Sequence, residues 1–193
     1  MNRLKYSAVI ILLLLPCVAC GQTSRRYPKP TNANTSSSPQ IDTGKLKLQA
    51  EEINQAFLRN DFGRVADLTY PKLVEILGGR ARMIAFLEQG VKSMEAEGFK
   101  IVSVSIGEPN DVISDGHQLF AIVPTITNIK FSEGILVGQA FRIANSKDGG
   151  KNWTFVDGAG FSSDKGKLKM LFPTVADKLR LPEIKPPVLQ REP

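Results

Sequence analysis

Cysteine and histidine are scarce: the 193-residue chain contains two cysteines and one histidine. Cys17 and Cys20 both lie close to the start, so the rest of the chain can form neither a disulfide nor a cysteine-ligated metal site. His117 follows an Asp-Gly pair typical of a hairpin tip, where we expect an exposed side chain. A disulfide scaffold and a multi-histidine metal centre are therefore excluded, and we expect no cofactor.

The chain also lacks an apolar run long enough to span a membrane, which takes about 20 residues. Its most apolar segment, Ala8–Leu15, follows the basic residues Arg3 and Lys5 and is ended by Pro16. A charged start, a short apolar core and small residues after it are typical of a secretory signal peptide. We predict a signal peptide over residues 1–19.

Strong charge of one sign is missing as well. The formal net charge is +6, and removing Arg3 and Lys5 with the signal peptide would leave +6 − 2 = +4. No basic helix face and no basic stripe interleaved with aromatic residues is visible, so we expect no nucleic-acid partner.

The end of the signal segment, Val18-Ala19-Cys20-Gly21, resembles the lipobox of bacterial lipoproteins, although Cys17 stands where leucine is usual. The resemblance implies that Cys20 receives lipid and becomes the new N-terminus. It also implies a cell-envelope protein held on a membrane, with the periplasmic face of the outer membrane favoured over the inner membrane. The alternative is ordinary cleavage near Ala19, which would give a free secreted or periplasmic protein.

Composition divides the remaining chain into three parts. Residues 20–43 are rich in Ser, Thr, Asn and Pro with few large apolar side chains, and we predict a disordered tether behind the lipidated N-terminus. Residues 44–181 have the size of one domain. Residues 182–193 contain four prolines and are predicted to form an extended tail.

Apolar periodicity predicts helices first and strands second. Leu46, Ala50, Ile53 and Phe57 mark one face of a helix, and Asp61 is placed to cap a short second one. From residue 99 the pattern alternates, with Asp-Gly and Gly-Gly turns typical of hairpins. We expect an α+β fold in which N-terminal helices pack on a curved antiparallel sheet, with a short C-terminal helix. Pro124 within a predicted strand indicates an edge or a bulge.

This order of elements resembles the nuclear transport factor 2-like superfamily, the cone fold shared with ketosteroid isomerases. The resemblance covers about residues 45–158 and rests on Asn60-Asp61-Phe62, Tyr70-Pro71, Gly78-Gly79 and the closing Trp153-Thr154-Phe155-Val156-Asp157. It implies a pocket between helices and sheet that different members use for catalysis, ligand binding or dimer contacts.

Candidate site residues are few. An isomerase needs a carboxylate base and a tyrosine or protonated acid as oxyanion donor, and the candidates are Asp67, Tyr70 and Asp157. Two of them have a structural alternative: Asp67 as a surface residue of its helix, and Tyr70 as a core residue with its hydroxyl at the edge. For ligand binding the candidates are Tyr70 and Arg142. Arg142 is expected on the polar side of its strand, where its partner is either an anionic ligand or an acidic residue.

The segment Ser146–Trp153 nearly matches the Asp-box of sialidase-like propellers, with Asn152 in place of threonine. It occurs once, in a chain too short for a propeller. We interpret it as a hairpin turn in which Asp148 binds backbone amides and Trp153 anchors the next strand in the core.

These observations predict a non-enzymatic envelope lipoprotein that binds a small molecule or an envelope protein. A pocket enzyme of isomerase or hydratase type is the first alternative, and a structural or dimerising module is the second. The apolar stretch from Leu168 to Leu179 is expected to pack across the domain rather than to bind a partner.

Overall fold

The computed structural model describes residues 43–110, 112–161 and 164–191. The predicted signal peptide, the lipidation site Cys20 and the tether as far as residue 42 lie outside the described residues. The described chain is an α+β structure with a curled antiparallel sheet, as predicted. No helix in these ranges is long and apolar enough to cross a membrane.

The helices are α1 (Thr43–Leu58), α2 (Phe62–Leu68), α3 (Pro71–Ile76), α4 (Arg80–Ala96) and α5 (Lys165–Leu171). The strands are β1 (Lys100–Ile106), β2 (Ile113–Asp115), β3 (Gln118–Phe131), β4 (Gly134–Ser146), β5 (Thr154–Asp157) and β6 (Val188–Gln190).

Local chemistry explains where the first helices begin and end. The Asp61 carboxylate accepts a hydrogen bond from the backbone N–H of Arg64 at 3.0 Å, which satisfies one free donor at the start of α2. Gly78 and Gly79 have φ angles of 89° and 94°, a region that favours glycine, and they separate α3 from α4. Gly98, with φ of 83°, follows the end of α4 in the same way.

The sheet has the order β1-β3-β4-β5, with β2 beside β3 and β6 beside β4. Pro124 lies in the central strand β3 rather than on an outer edge. Its carbonyl accepts from the N–H of Gly107, just beyond the end of β1. Neither β1 nor β2 pairs with β3 at Pro124, so its missing N–H removes no ladder bond on that side.

Both faces of the sheet are packed, which separates two apolar cores. The inner core joins α1, α2 and α4 to the odd-numbered side chains Leu119, Ala121 and Val123 of β3. The outer core joins the even-numbered side chains of β3, such as Phe120, to α5 and the chain after it. Alternation along β3 therefore divides its side chains between the two cores.

The C-terminal helix is shorter than the apolar stretch Leu168–Leu179 suggests, and the predicted extended tail includes a β-strand. Helix α5 ends at Leu171, before Pro173, and hydrogen-bonded turns continue to Leu179. Further on, β6 pairs with Ile135–Val137 of β4. The proline-rich tail thus contributes a strand to the sheet.

The segment Ser146–Trp153 forms the turn expected from its composition. The Asp148 carboxylate accepts from the backbone N–H of Asn152 at 2.9 Å and from the Ser146 hydroxyl at 2.9 Å. Trp153 is 1% exposed, and its indole N–H donates to the carbonyl of Gly150 at 3.0 Å. The turn is closed by its own side chains, and Trp153 is its anchor in the inner core.

This turn predicts an acid-sensitive contribution to stability. The backbone and side-chain hydrogen bonds from Asn152 lower the pKa of Asp148 from 3.8 to about 2. The folded state therefore favours the carboxylate, and its stabilisation is full above pH 3.8 and lost as the pH falls toward 2. We expect Asp148→Asn to be less stable than the parent at pH 6, with the difference shrinking between pH 4 and pH 2. Urea unfolding of both proteins across this range measures it, and a pH-independent difference would contradict the assignment.

Candidate functional site

A cavity of about 340 Å³ lies between the helices and the inner face of the sheet. This volume is within the range of about 300–1,000 Å³ that small-molecule sites occupy. Phe86 of α4, which is 49% exposed, and the exposed Asp157 of β5 both line the cavity, so the cavity reaches the surface of the domain. Its walls are mainly apolar and include Ile53, Phe57, Leu77, Leu87, Ile101 and Ile129.

Two opposite charges line the cavity at facing positions of neighbouring strands. Arg142 of β4 and Asp157 of β5 are cross-strand partners, and directly opposite residues of an antiparallel pair have Cβ atoms about 4.5–5.5 Å apart. They are the charged members of the set of described residues that line the cavity. The cavity thus combines an apolar wall with one cation and one anion.

A buried asparagine holds the cation in place. Asn54 of α1 is fully buried, and its side-chain oxygen accepts a hydrogen bond from the Arg142 guanidinium. The Asn54 amide also donates to the carbonyl of Val104 in β1 at 3.4 Å. Asn54 follows Ala50 by four residues, so helical geometry places it on the buried face of α1. The helix, β1 and β4 therefore meet at one polar contact.

Surrounding protein shifts the pKa values of both charged residues. Desolvation raises the pKa of Asp157, although the Arg142 charge and a hydrogen bond from the N–H of Ala159, at 3.0 Å, oppose this shift. Desolvation lowers the pKa of Arg142, and the charges of Asp157 and Glu51 oppose that shift. Asp157 is nevertheless an exposed residue, so solvent moderates its desolvation. Asp157 can therefore accept hydrogen bonds or a proton, and Arg142 can donate hydrogen bonds, to a molecule in the cavity.

The other sequence candidates lie outside this cavity. Asp67 is exposed on α2 and binds Arg80, with Oδ1 and Nε 2.7 Å apart. The hydrogen bond from Arg80 holds the pKa of Asp67 below its usual value, which is unfavourable for a general base.

Tyr70 belongs to the outer core. Its ring packs against Phe172 with centroids 4.9 Å apart, and burial raises the pKa of its hydroxyl. The Lys147 ammonium lies 5.8 Å from the ring centroid. Asp67 and Tyr70 thus lie away from Asp157, whereas Arg142 lies beside Asp157 in the cavity wall.

Sequence reasoning placed Arg142 on the polar side of its strand and missed Asn54. The structure places Arg142 on the inner face, beside Ala140 in the cavity wall. A polar residue on the apolar face of α1 was the available signal for Asn54. His117 is exposed in the turn between β2 and β3, as expected. Among the residues described, no group of three or more His, Cys, Asp or Glu side chains could hold a metal ion.

Comparison of the chain with protein-family models, with curated proteins and with solved structures found no match to any of them.

Proposed function

We propose that this protein is a cell-envelope lipoprotein whose domain binds a small, largely apolar molecule in the cavity between helices and sheet. The observation that carries the proposal is the cavity itself, with its apolar walls and the facing charges of Arg142 and Asp157. A cavity with apolar walls and a few convergent polar groups is the usual form of a small-molecule site.

The proposed architecture is the cone fold of the nuclear transport factor 2-like superfamily. Its N-terminal helices would pack on the concave inner face of the sheet, and its short C-terminal helix on the other face. Support comes from Ile53 and Val65 of the helices, which share the inner core with Val123 of β3, and from Leu168 of α5 in the outer core.

Binding in the cavity is tested by filling it. Gly138 lines the cavity, and a Cβ added there would meet only the carbonyl oxygen of Thr127, at 3.9 Å. The Cβ of Gly138→Leu therefore meets no clash, and the rest of the side chain should occupy the cavity among the apolar walls. We expect it to reduce binding of an apolar fluorescent probe, N-phenyl-1-naphthylamine, by at least about tenfold while the fold is retained.

The matched control is Ser105→Leu, which adds the same side chain to an exposed position of β1 outside the cavity. Probe fluorescence and circular dichroism of both variants give the comparison. Equal probe binding by Gly138→Leu and the parent would refute the cavity as the binding site.

The proposed membrane anchor is a lipid on Cys20, supported by Val18-Ala19-Cys20-Gly21 in the sequence. We expect Cys20→Ser to release the protein from membranes or to block its maturation, whereas Cys17→Ser should have little effect. Metabolic labelling with a fatty acid, followed by membrane fractionation, measures both. Labelling that persists in Cys20→Ser would exclude this anchor.

An isomerase or hydratase is the second candidate, because Asp157 lines the cavity and has a raised pKa, as a general base requires. Tyr70 lies in the outer core and so does not supply the oxyanion donor; Arg142 would have to stabilise the developing charge. Deuterium exchange from solvent into enolisable ketones, lost in Asp157→Asn and kept in Asp67→Asn, would favour this candidate.

A dimerising or partner-binding module is the third candidate. On the outer face of the sheet Ile126 is 41% exposed, and Val188 of β6 is 64% exposed. Much of the remaining outer face is covered by α5 and the following turns. Native mass spectrometry that finds a dimer, with Ile126→Lys dissociating it, would favour this role.

A further inference from the structure

The polar end of the cavity has no net charge. Arg142 is a donor at every polar atom, and ionised Asp157 is an acceptor at both oxygens. Facing each other across β4 and β5, they supply one positive and one negative charge to the same region of the cavity. A ligand that reaches this region meets a donor and an acceptor together.

Both groups keep unused hydrogen-bonding capacity. A guanidinium has five N–H donors, and among the described residues one acceptor, the Asn54 oxygen, is in direct contact with that of Arg142. The Asp157 carboxylate accepts from the N–H of Ala159 and retains further lone pairs. Water can pair with the exposed Asp157, so a ligand gains most when its head group pairs with both residues and its body covers the apolar walls.

A charged head group on a ligand would pair favourably with only one of Arg142 and Asp157. A carboxylate on Arg142 would stand beside the like charge of Asp157, and the Glu51 charge also acts on Arg142. An ammonium on Asp157 would stand beside the guanidinium. Like charges at short distance repel even where solvent reaches one of them, which disfavours both kinds of ion.

We propose that the cavity selects an uncharged amphiphile, with an apolar body and one head group that both donates and accepts hydrogen bonds, such as a primary carboxamide. This inference rests on the proposed function, since it assigns a ligand class to the same cavity. The carbonyl of the head group would accept from Arg142 and its N–H would donate to Asp157, while the body lies against Ile53, Phe57 and Leu87.

The test compares three probes with one apolar body: 4-phenylbutanamide, 4-phenylbutanoate and 4-phenylbutylamine at pH 7. The full chain is used in phospholipid nanodiscs, and equilibrium dialysis is corrected with empty discs. We expect the amide to bind at least about tenfold more tightly than either ion. Asp157→Asn removes the negative charge and should shift the preference toward 4-phenylbutanoate. Arg142→Gln removes the positive charge and should shift it toward 4-phenylbutylamine.

Asp67→Asn is the control, because this carboxylate lies outside the cavity, and it should leave the order of the probes unchanged. Asp157→Asn is nearly isosteric, so it decides the question alone if Arg142→Gln does not fold. Equal affinity for the three probes, or tightest binding of an ion by the parent, would overturn the inference and leave cavity binding intact. Binding of none of the three probes would also overturn the inference. If the parent and Gly138→Leu then bind N-phenyl-1-naphthylamine equally, the proposed function is overturned as well.

Discussion

Trp153→Ala is expected to lower the free energy of unfolding by about 3–5 kcal/mol, the usual cost of truncating a large buried aromatic. The side chain is 1% exposed and lies in the inner core, and its indole N–H is bonded to Gly150. The backbone N–H of Trp153 also donates to the Gln49 side chain of α1 at 2.7 Å, which ties the turn to the helix. Because domains are stable by only about 5–15 kcal/mol, much of the stability would be lost.

The measurement uses the indole as its own reporter, since the chain has one tryptophan. Its emission should be blue-shifted in the folded protein and move to longer wavelength in denaturant. Trp153→Phe, which keeps most of the volume, should lose less stability than Trp153→Ala. Unchanged thermal unfolding of Trp153→Ala, together with water-like emission of the parent, would show an exposed side chain that is available for surface recognition.

Gly158→Ala is expected to destabilise the protein by about 1–3 kcal/mol through overpacking. An added Cβ would overlap with the ring of Phe141, which is fully buried in the outer core. The backbone cannot move away freely, because the N–H of Gly158 donates to the carbonyl of Phe141 at 2.8 Å. The ring or the strand end after β5 must therefore shift.

The matched control for this substitution is two residues away. A Cβ at Gly160 would have no neighbour within 4 Å, so Gly160→Ala should change stability little. Phe141→Leu should be less harmful in the Gly158→Ala background than alone, because the smaller side chain relieves the overlap. Chemical denaturation of the parent, Gly158→Ala, Phe141→Leu and the double variant gives the coupling energy. Gly160→Ala is measured beside them, and equal effects at Gly158 and Gly160 would contradict the packing described.

Elements with local chemistry were predictable from the sequence. The apolar stripe of Leu46, Ala50 and Ile53 predicted α1, and these residues are buried in it. The turn at Asp148 followed from residue types that bind their own backbone. Short strands without a complete alternation were not visible, and β2 and β6 have three residues each.

To predict the site, one must know which face of β4 meets the helices. The alternation of apolar residues does not decide this, because both faces of β4 are packed. Phe141 and Ile143 form the apolar series of β4, but they belong to the outer core with α5. The inner face carries Ala140, Arg142 and Ala144 instead. Arg142 was therefore expected on a polar surface, while small neighbours leave room for a cavity around it.

Pairing of β6 with β4 has a consequence for folding while the chain is being synthesised. Residues Val188–Gln190 are synthesised about fifty residues after their partners Ile135–Val137. Until Val188–Gln190 have left the ribosome, this edge of β4 has unpaired backbone groups of the kind that recruit foreign strands. Chains that stop short of Val188 during synthesis are thus expected to be more prone to aggregation than chains that include β6.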